Sequence, residues 1–271
     1  MDKHLIAVDL DGTLLTTEKT ITDRTKQALH EAAAAGHHVV IATGRPVRAS
    51  MPYYKELGLS TPMVNFNGAF VHHPGDKNWG IYHTPLQLKT ARHIIESAND
   101  FDAKNILAEV VDDVYLHKYD KEFHAVFSMG NPKVTTGDLL KYLADDPTSI
   151  LIHPHDHNVD EIREHLDTRH AEVIEHRKWG APWHVIEIVR KGLNKAVGLK
   201  RIADHFNVPK DRIIAFGDED NDLEMIEYAG HGVAMGNAID ALKNIANSVT
   251  AHNDEDGVAL MLEEKLGIKT V

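Results

Sequence analysis

Leu5-Ile6-Ala7-Val8-Asp9-Leu10-Asp11-Gly12-Thr13-Leu14 begins with four uninterrupted apolar residues and breaks into a turn holding two acids and a glycine. Such a run, apolar on both faces and ended by polar residues, reads as a buried parallel strand whose carboxyl end opens into a loop. Residues 22–35 follow with helical spacing and stop at Gly36, and residues 39–42 form a second apolar run ended by Thr43-Gly44. That is a βαβ unit. Pro46 suits the first turn of a further helix reaching Leu57, residues 63–66 read as a third strand, and Asn67-Gly68 is the strongest hairpin signal in the chain.

Between residues 84 and 190 the rhythm changes. A helix over 86–98 precedes strands over 106–111 and 114–119, a helix over 138–143, a strand over 150–153, a helix over 159–167, and strands over 171–174 and 185–189. Paired strands mixed with helices make an α+β insert long enough to be a domain. The first rhythm then returns, with helices over 194–206, 220–228 and 257–266 and strands over 212–216 and 232–235. The reading is an α/β fold: a doubly wound, Rossmann-like parallel sheet from residues 1–83 and 191–271, with an α+β cap inserted as residues 84–190. Residues 83–85 and 191–192 stand as hinges.

Composition narrows the partners. Among 271 residues, 29 Lys+Arg face 41 Asp+Glu, a net charge of −12. Nucleic-acid binding draws on a basic surface, so this balance argues against it. With 42% hydrophobic and 26% charged residues the chain has the mix of an ordinary folded protein, and its length favours two domains. The absence of cysteine removes disulfides, thiolate nucleophiles and thiolate metal sites. No apolar run approaches the roughly 18 residues of a membrane span, and the start lacks a signal-peptide core, so a cytoplasmic protein without a membrane partner is expected. Of the 20 histidines, three fall in His153-Pro154-His155-Asp156-His157, which reads first as a solvated loop and second as a metal tract.

Ligands of open parallel sheets bind beyond the carboxyl ends of the strands, so the turns after strands come first. Asp9 and Asp11, two apart on an extended backbone, lie on the same side, where a hard cation such as Mg²⁺ relieves their repulsion. Gly12 exposes backbone N–H groups able to hold a phosphate. Thr43-Gly44-Arg45-Pro46 offers a hydroxyl and free amides at a helix start, an arrangement suited to anions. Gly217-Asp218-Glu219-Asp220-Asn221-Asp222 packs four acids into six residues after an apolar strand, again calling for a cation. Lys195 follows the N-cap residue Asn194, where the helix dipole disfavours a cation. Taken singly each has a structural reading: acids stabilise helix starts, and Asn67-Gly68 can be a plain turn.

Their order is what counts. Asp9-Leu10-Asp11-Gly12-Thr13-Leu14, Ala42-Thr43-Gly44-Arg45, Lys195 opening a helix, and Gly217-Asp218-Glu219-Asp220-Asn221-Asp222 resemble the four motifs of the haloacid dehalogenase superfamily. Asn67-Gly68-Ala69 and the insert between the second and third motifs resemble its Cof-type metabolite phosphatases. The resemblance implies that Asp9 is the nucleophile, forming an aspartyl-phosphate that water hydrolyses. It implies Mg²⁺ on Asp9, the backbone carbonyl of Asp11, and Asp218, oriented by Asp222. Leu10, Thr43, Gly44, Lys195 and Asn221 would hold the phosphate, and Asp11 would protonate the leaving alkoxide and later deprotonate water. Arg45 and Asn67 are candidate substrate contacts. The substrate would be a small phosphorylated metabolite such as a sugar phosphate, FMN or a riboflavin-pathway phosphate. Phe123, Phe127, Trp179 and Trp183 in the insert could stack on a ring, though core packing is the first reading.

Two rivals remain at this stage: a phosphosugar mutase on the same scaffold, and a non-catalytic module in which Asp9 only accepts phosphate. Lys195, the second acid of the first motif and the large insert argue against the latter.

Overall fold

The computed structural model describes residues 3–170, 174–178 and 185–270. The chain starts with β1 (Leu5–Val8), α1 (Asp23–Ala34), β2 (His38–Ile41), α2 (Val47–Glu56), β3 (Met63–Asn65), β4 (Phe70–His72) and β5 (Ile81–His83). It continues through α3 (Leu88–Asp100), β6 (Asn105–Val110), β7 (Asp113–Leu116), α4 (Lys121–Phe127), β8 (Val134–Thr136), α5 (Leu139–Tyr142), β9 (Ser149–His153), α6 (Val159–His170), β10 (Ile174–Lys178) and β11 (Ile186–Arg190). It ends with α7 (Lys195–Phe206), β12 (Ile213–Gly217), α8 (Leu223–Tyr228), β13 (His231–Ala234), α9 (Asp240–Ile245), β14 (Ser248–Val249) and α10 (Gly257–Leu266).

Two compact units result, one of Met1–Arg45, Ser50–Tyr82 and Asn194–Val271, the other of Pro46–Ala49 and His83–Leu193. The first is built on a five-stranded sheet in the order β14-β13-β12-β1-β2. Its pairings are parallel, with Val8 opposite both Phe216 and Ile41. Every residue of β1 is buried because helices cover both faces, which is why the strand reads as an unbroken apolar run. Helix α1 starts where the Thr22 side chain accepts from the Thr25 amide, and it presents Ala28, Leu29 and Ala32 to the core.

The third strand lies outside the five-stranded ladder and joins the extension of β2 through a parallel bridge between Ala42 and Val64. One edge of β3 pairs with β4, antiparallel across the turn at Phe66–Gly68, and β5 completes a three-stranded sheet. The other edge of β3 faces the extension of β2, where the Thr43 amide donates to the Val64 carbonyl at 2.9 Å.

The second unit is a six-stranded sheet ordered β10-β11-β9-β6-β7-β8, antiparallel apart from the β7–β8 pair. Helices α3 and α6 pack Ile94, Ile95, Ile162 and Leu166 onto one core cluster. Phe123 and Phe127 lie in another, their ring centroids 4.6 Å apart, so both serve packing. Trp179 and Trp183 lie outside the described residues.

Candidate active site

Adjacent strands β1 and β12 end side by side, and the loops leaving them carry the acids. The Asp9 amide donates to the Phe216 carbonyl at 3.2 Å, which continues the parallel ladder one residue past β1 and fixes Asp9 at the mouth of the sheet. The chain then turns sharply: the Leu15 amide donates to the Leu10 carbonyl at 2.8 Å. Gly12 sits at φ +74°, and a Cβ there would come within 2.1 Å of an Asp218 oxygen, so both backbone and space demand glycine. The Thr13 hydroxyl donates to Asp218 Oδ1 at 2.8 Å, tying the two loops together.

Lys195 is fully buried at the first position of α7, where the Asn194 side chain caps the helix by accepting from the Val197 amide. Its Nζ lies 2.8 Å from Asp9 Oδ1 and 2.7 Å from Asp222 Oδ1. The second Asp222 oxygen accepts from the backbone amides of Asp218 and Glu219 at 3.0 and 3.3 Å, so both of its oxygens are already engaged. Burial alone would drive the proton off Lys195, but Asp222 and Asp9 override it and hold the ammonium charged.

Oxygens of Asp9, Asp218 and Asp222 gather within 4.8 Å of one another. Three buried carboxylates thus face one ammonium. Burial, together with Asp222 and Asp11, pushes the Asp9 carboxyl well above the usual carboxylate range despite Lys195. Burial and the charges of Asp9 and Asp222 do the same to Asp218. The cluster is short of positive charge and offers only oxygen donors, which suits a hard divalent cation. It is the one set of three or more acidic or histidine side chains with that spacing among the described residues, so the 153–157 segment does not form a second. There the His155 and His157 rings stack with centroids 5.5 Å apart, and His153 stacks on Phe123.

Asp11, only two residues from Asp9, has different company. Arg45 approaches it in fork geometry, Nε to Oδ2 and Nη2 to Oδ1 both at 2.6 Å, and Lys19 Nζ lies 2.8 Å from Oδ1. Burial would raise its pKa, but these two cations outweigh it and hold the carboxyl down at about 2. The Arg45 guanidinium lies 5.4 Å from the Tyr53 ring centroid, and the Tyr53 hydroxyl donates to the Lys19 carbonyl. Arg45 is therefore placed on Asp11. Thr43 is buried beside β3, its amide donating to the Val64 carbonyl at 2.9 Å, and its hydroxyl accepts from the Arg45 amide. Leu10 is wholly buried, Asn67 nearly so, and Asn221 donates to Asn67.

Thr13, Lys19 and Tyr53 were not singled out by sequence. Thr13 stood in the first motif and could have been found as a hydroxyl two residues past Asp11. Lys19 and Tyr53 carry no local signal, because a fold-back in which the Thr16 amide donates to the Thr20 carbonyl brings Lys19 over the loop.

This constellation, a buried carboxylate at a strand end, a lysine against it and further acids from the neighbouring strand, defines a phosphoryl-transfer hydrolase. The chain belongs to the haloacid dehalogenase-like hydrolases, whose family profile matches residues 6–262. It is 55% identical over 261 residues to a 5-amino-6-(5-phospho-D-ribitylamino)uracil phosphatase, YitU, of Bacillus subtilis (strain 168), covering 96% of this chain and 97% of that one. A second Bacillus subtilis (strain 168) protein described by the same activity, YwtE, is 32% identical over 285 residues, covering 96% and 97%. Among solved structures, a haloacid dehalogenase-like hydrolase from Bacteroides thetaiotaomicron superposes with a TM-score of 0.85 at 26% identity, covering 97% of this chain and 99% of that one. The protein is accordingly a phosphatase of small phosphorylated metabolites. No helix among the described residues is long and apolar enough to cross a membrane.

Proposed function

We propose that this enzyme dephosphorylates 5-amino-6-(5-phospho-D-ribitylamino)uracil by passing the phosphoryl group to Asp9 and then to water. The reaction chemistry rests on one observation: the buried Asp9 carboxylate held 2.8 Å from Lys195 beside Asp218 and Asp222. The choice of substrate rests on the 55% identity to a relative described by that activity across nearly the whole of both chains.

Lys195 fixes one oxygen of Asp9 and keeps a permanent positive charge beside the incoming phosphate dianion, lowering the repulsion between two anions. The Thr43 hydroxyl, the amides near Leu10 and Gly44, and the Asn221 side chain hold phosphate oxygens. Asp9 and Asp218 through their carboxylates, and Asp11 through its backbone carbonyl, would hold Mg²⁺, while Asp222 orients the set through its bonds to Lys195 and to the loop amides. When bound, Mg²⁺ supplies the positive charge that the three carboxylates lack and stabilises the transferring phosphoryl oxygens. Asp11, protonated from solvent once it is free of its cations, gives that proton to the leaving alkoxide and takes one from the attacking water. Its carboxylate first has to leave Arg45 and Lys19, so substrate entry and release of this ion pair belong to one step. On this reading the chemistry lies in the unit with the parallel sheet, and discrimination among metabolites falls to residues 84–190.

Release of inorganic phosphate from this compound, FMN, pyridoxal phosphate and hexose monophosphates, compared by kcat/KM, tests the assignment. A preference of about tenfold or more for another member overturns the substrate. An isomeric sugar phosphate in place of free phosphate marks a mutase instead.

A further inference from the structure

The turn Phe66-Asn67-Gly68 touches three of the loops that converge on the acids. Phe66 and Asn67 both hold φ of +49°, a left-handed conformation unfavourable for non-glycine residues, so their surroundings must enforce it. The Phe66 amide donates to the Arg45 carbonyl and the Asn67 amide to the Thr43 carbonyl, at 3.3 and 3.2 Å, so the turn is bolted to the second motif. Gly68 lies so close to the residue before Lys195 that a Cβ would fall 2.2 Å from the Asn194 carbonyl oxygen. Asn221 Nδ2 donates to Asn67 Oδ1 at 3.1 Å, joining the fourth motif. Gly44 lacks a positive φ, and its glycine has another cause: a Cβ there would stand 3.2 Å from both polar atoms of the Asn67 amide.

We propose that Asn67 is a positioning residue for the phosphate cradle, acting through Asn221 and Gly44 rather than touching substrate. Its side chain is 3% exposed and spent on the fourth motif while packing against the second. This rests on the phosphatase reading of the site, with Asn221 and Gly44 holding phosphate. The strained turn then acts as a keystone: the backbone sets the distance between loops, and the Asn67 amide sets the orientation of Asn221.

Inhibition by inorganic phosphate, measured with kcat and KM, reports the cradle directly. Asn67→Gly keeps a backbone free to hold positive φ while removing the acceptor. It is expected to weaken phosphate inhibition and kcat/KM about tenfold with Tm close to that of the unmodified enzyme, whereas Asn67→Ala matches it on phosphate and melts lower because of the φ it must adopt. Asn221→Ala should cost at least as much, since it also removes a phosphate contact, and the double variant Asn67→Gly/Asn221→Ala should fall no more than about twofold below Asn221→Ala, because the Asn67 amide acts on phosphate mainly through Asn221. Single effects that multiply to about a hundredfold make Asn67 an independent contact and overturn the proposal. So does Asn67→Gly lowering Tm while leaving phosphate inhibition unchanged, which marks a purely structural turn. Asp9→Asn run alongside separates the two levels: turnover by that variant removes the phosphatase reading itself, whereas a dead Asp9→Asn with multiplying singles removes only the positioning role.

Discussion

Asp9 and Asp11 sit two residues apart on one loop, yet they occupy opposite electrostatic worlds. Asp9 is buried with two further acids and one lysine, and its carboxyl is pushed up, whereas Asp11 meets two cations and is held at about 2. Identical side chains thus acquire different chemistry from their surroundings, the pattern that lets one site contain both a nucleophile and a proton carrier. The Asp9 side lacks positive charge and the Asp11 side has it in surplus. On the proposed mechanism a resident cation would complete the first, and release from both Arg45 and Lys19 would free the second.

Asp9→Asn breaks the comparison at its centre. Turnover should fall by about 10⁴-fold or more, since removing a covalent nucleophile costs nearly all the catalysis that depends on it. The metal-free fold should be retained or gain stability, because a repelling buried carboxylate is gone. Phosphate release and thermal melting in chelator check both, and turnover near the unmodified level would end the assignment. Lys195→Met should lower kcat by about 10² to 10³-fold. It should also destabilise by about 3–5 kcal/mol, because Asp9 and Asp222 lose a fully buried partner.

Mg²⁺ should raise Tm, by an amount equivalent to about 2.7 kcal/mol at a hundred times its dissociation constant, and chelation should reverse this. Asp218→Asn should abolish the gain. An equal shift in that variant would place the cation elsewhere.

Histidine gives a smaller effect with a definite sign. Burial, aided by His73, lowers His72 from its ordinary 6.5 to about 4, while its Nε2 donates to Asn65 beside the keystone turn. The unfolded chain binds this proton more readily than the folded one, so the stability is complete above pH 6.5 and is lost as pH falls toward 4. His37, His38, His117 and His153 are lowered in the same direction by burial. Tm measured from pH 7 to pH 4.5 should drop, and His72→Gln should drop less steeply. Smallest of all, Lys19→Met removes an exposed cation, for which about 1 kcal/mol or less is typical. The Asp11 pKa in the free enzyme should rise and the acidic limb of the kcat/KM profile should move to higher pH, with kcat altered about threefold or less. An unmoved limb would show that Arg45 alone sets Asp11.

The parts legible beforehand were those whose signal is local. β1, β2 and β12 announced themselves because strands covered on both faces must be apolar throughout, and α7 because Asn194 caps it. The acids were legible because they follow those strands directly. Hidden elements were short ones stabilised by neighbours: β4, β5, α4 and β8 are three to seven residues long, below the length at which periodicity speaks. The Asn67-Gly68 signal pointed correctly to a turn, but the tie to Asn221 spans 154 positions and has no local trace. Lys19 was invisible for the same reason.

Val8 pairs with Phe216, so Asp9 and its acidic companions become neighbours only through strands far apart in the chain. A nascent chain therefore carries Asp9 and Asp11 with no partner strand on that side until β12 has emerged, and the cluster of acids cannot assemble before then.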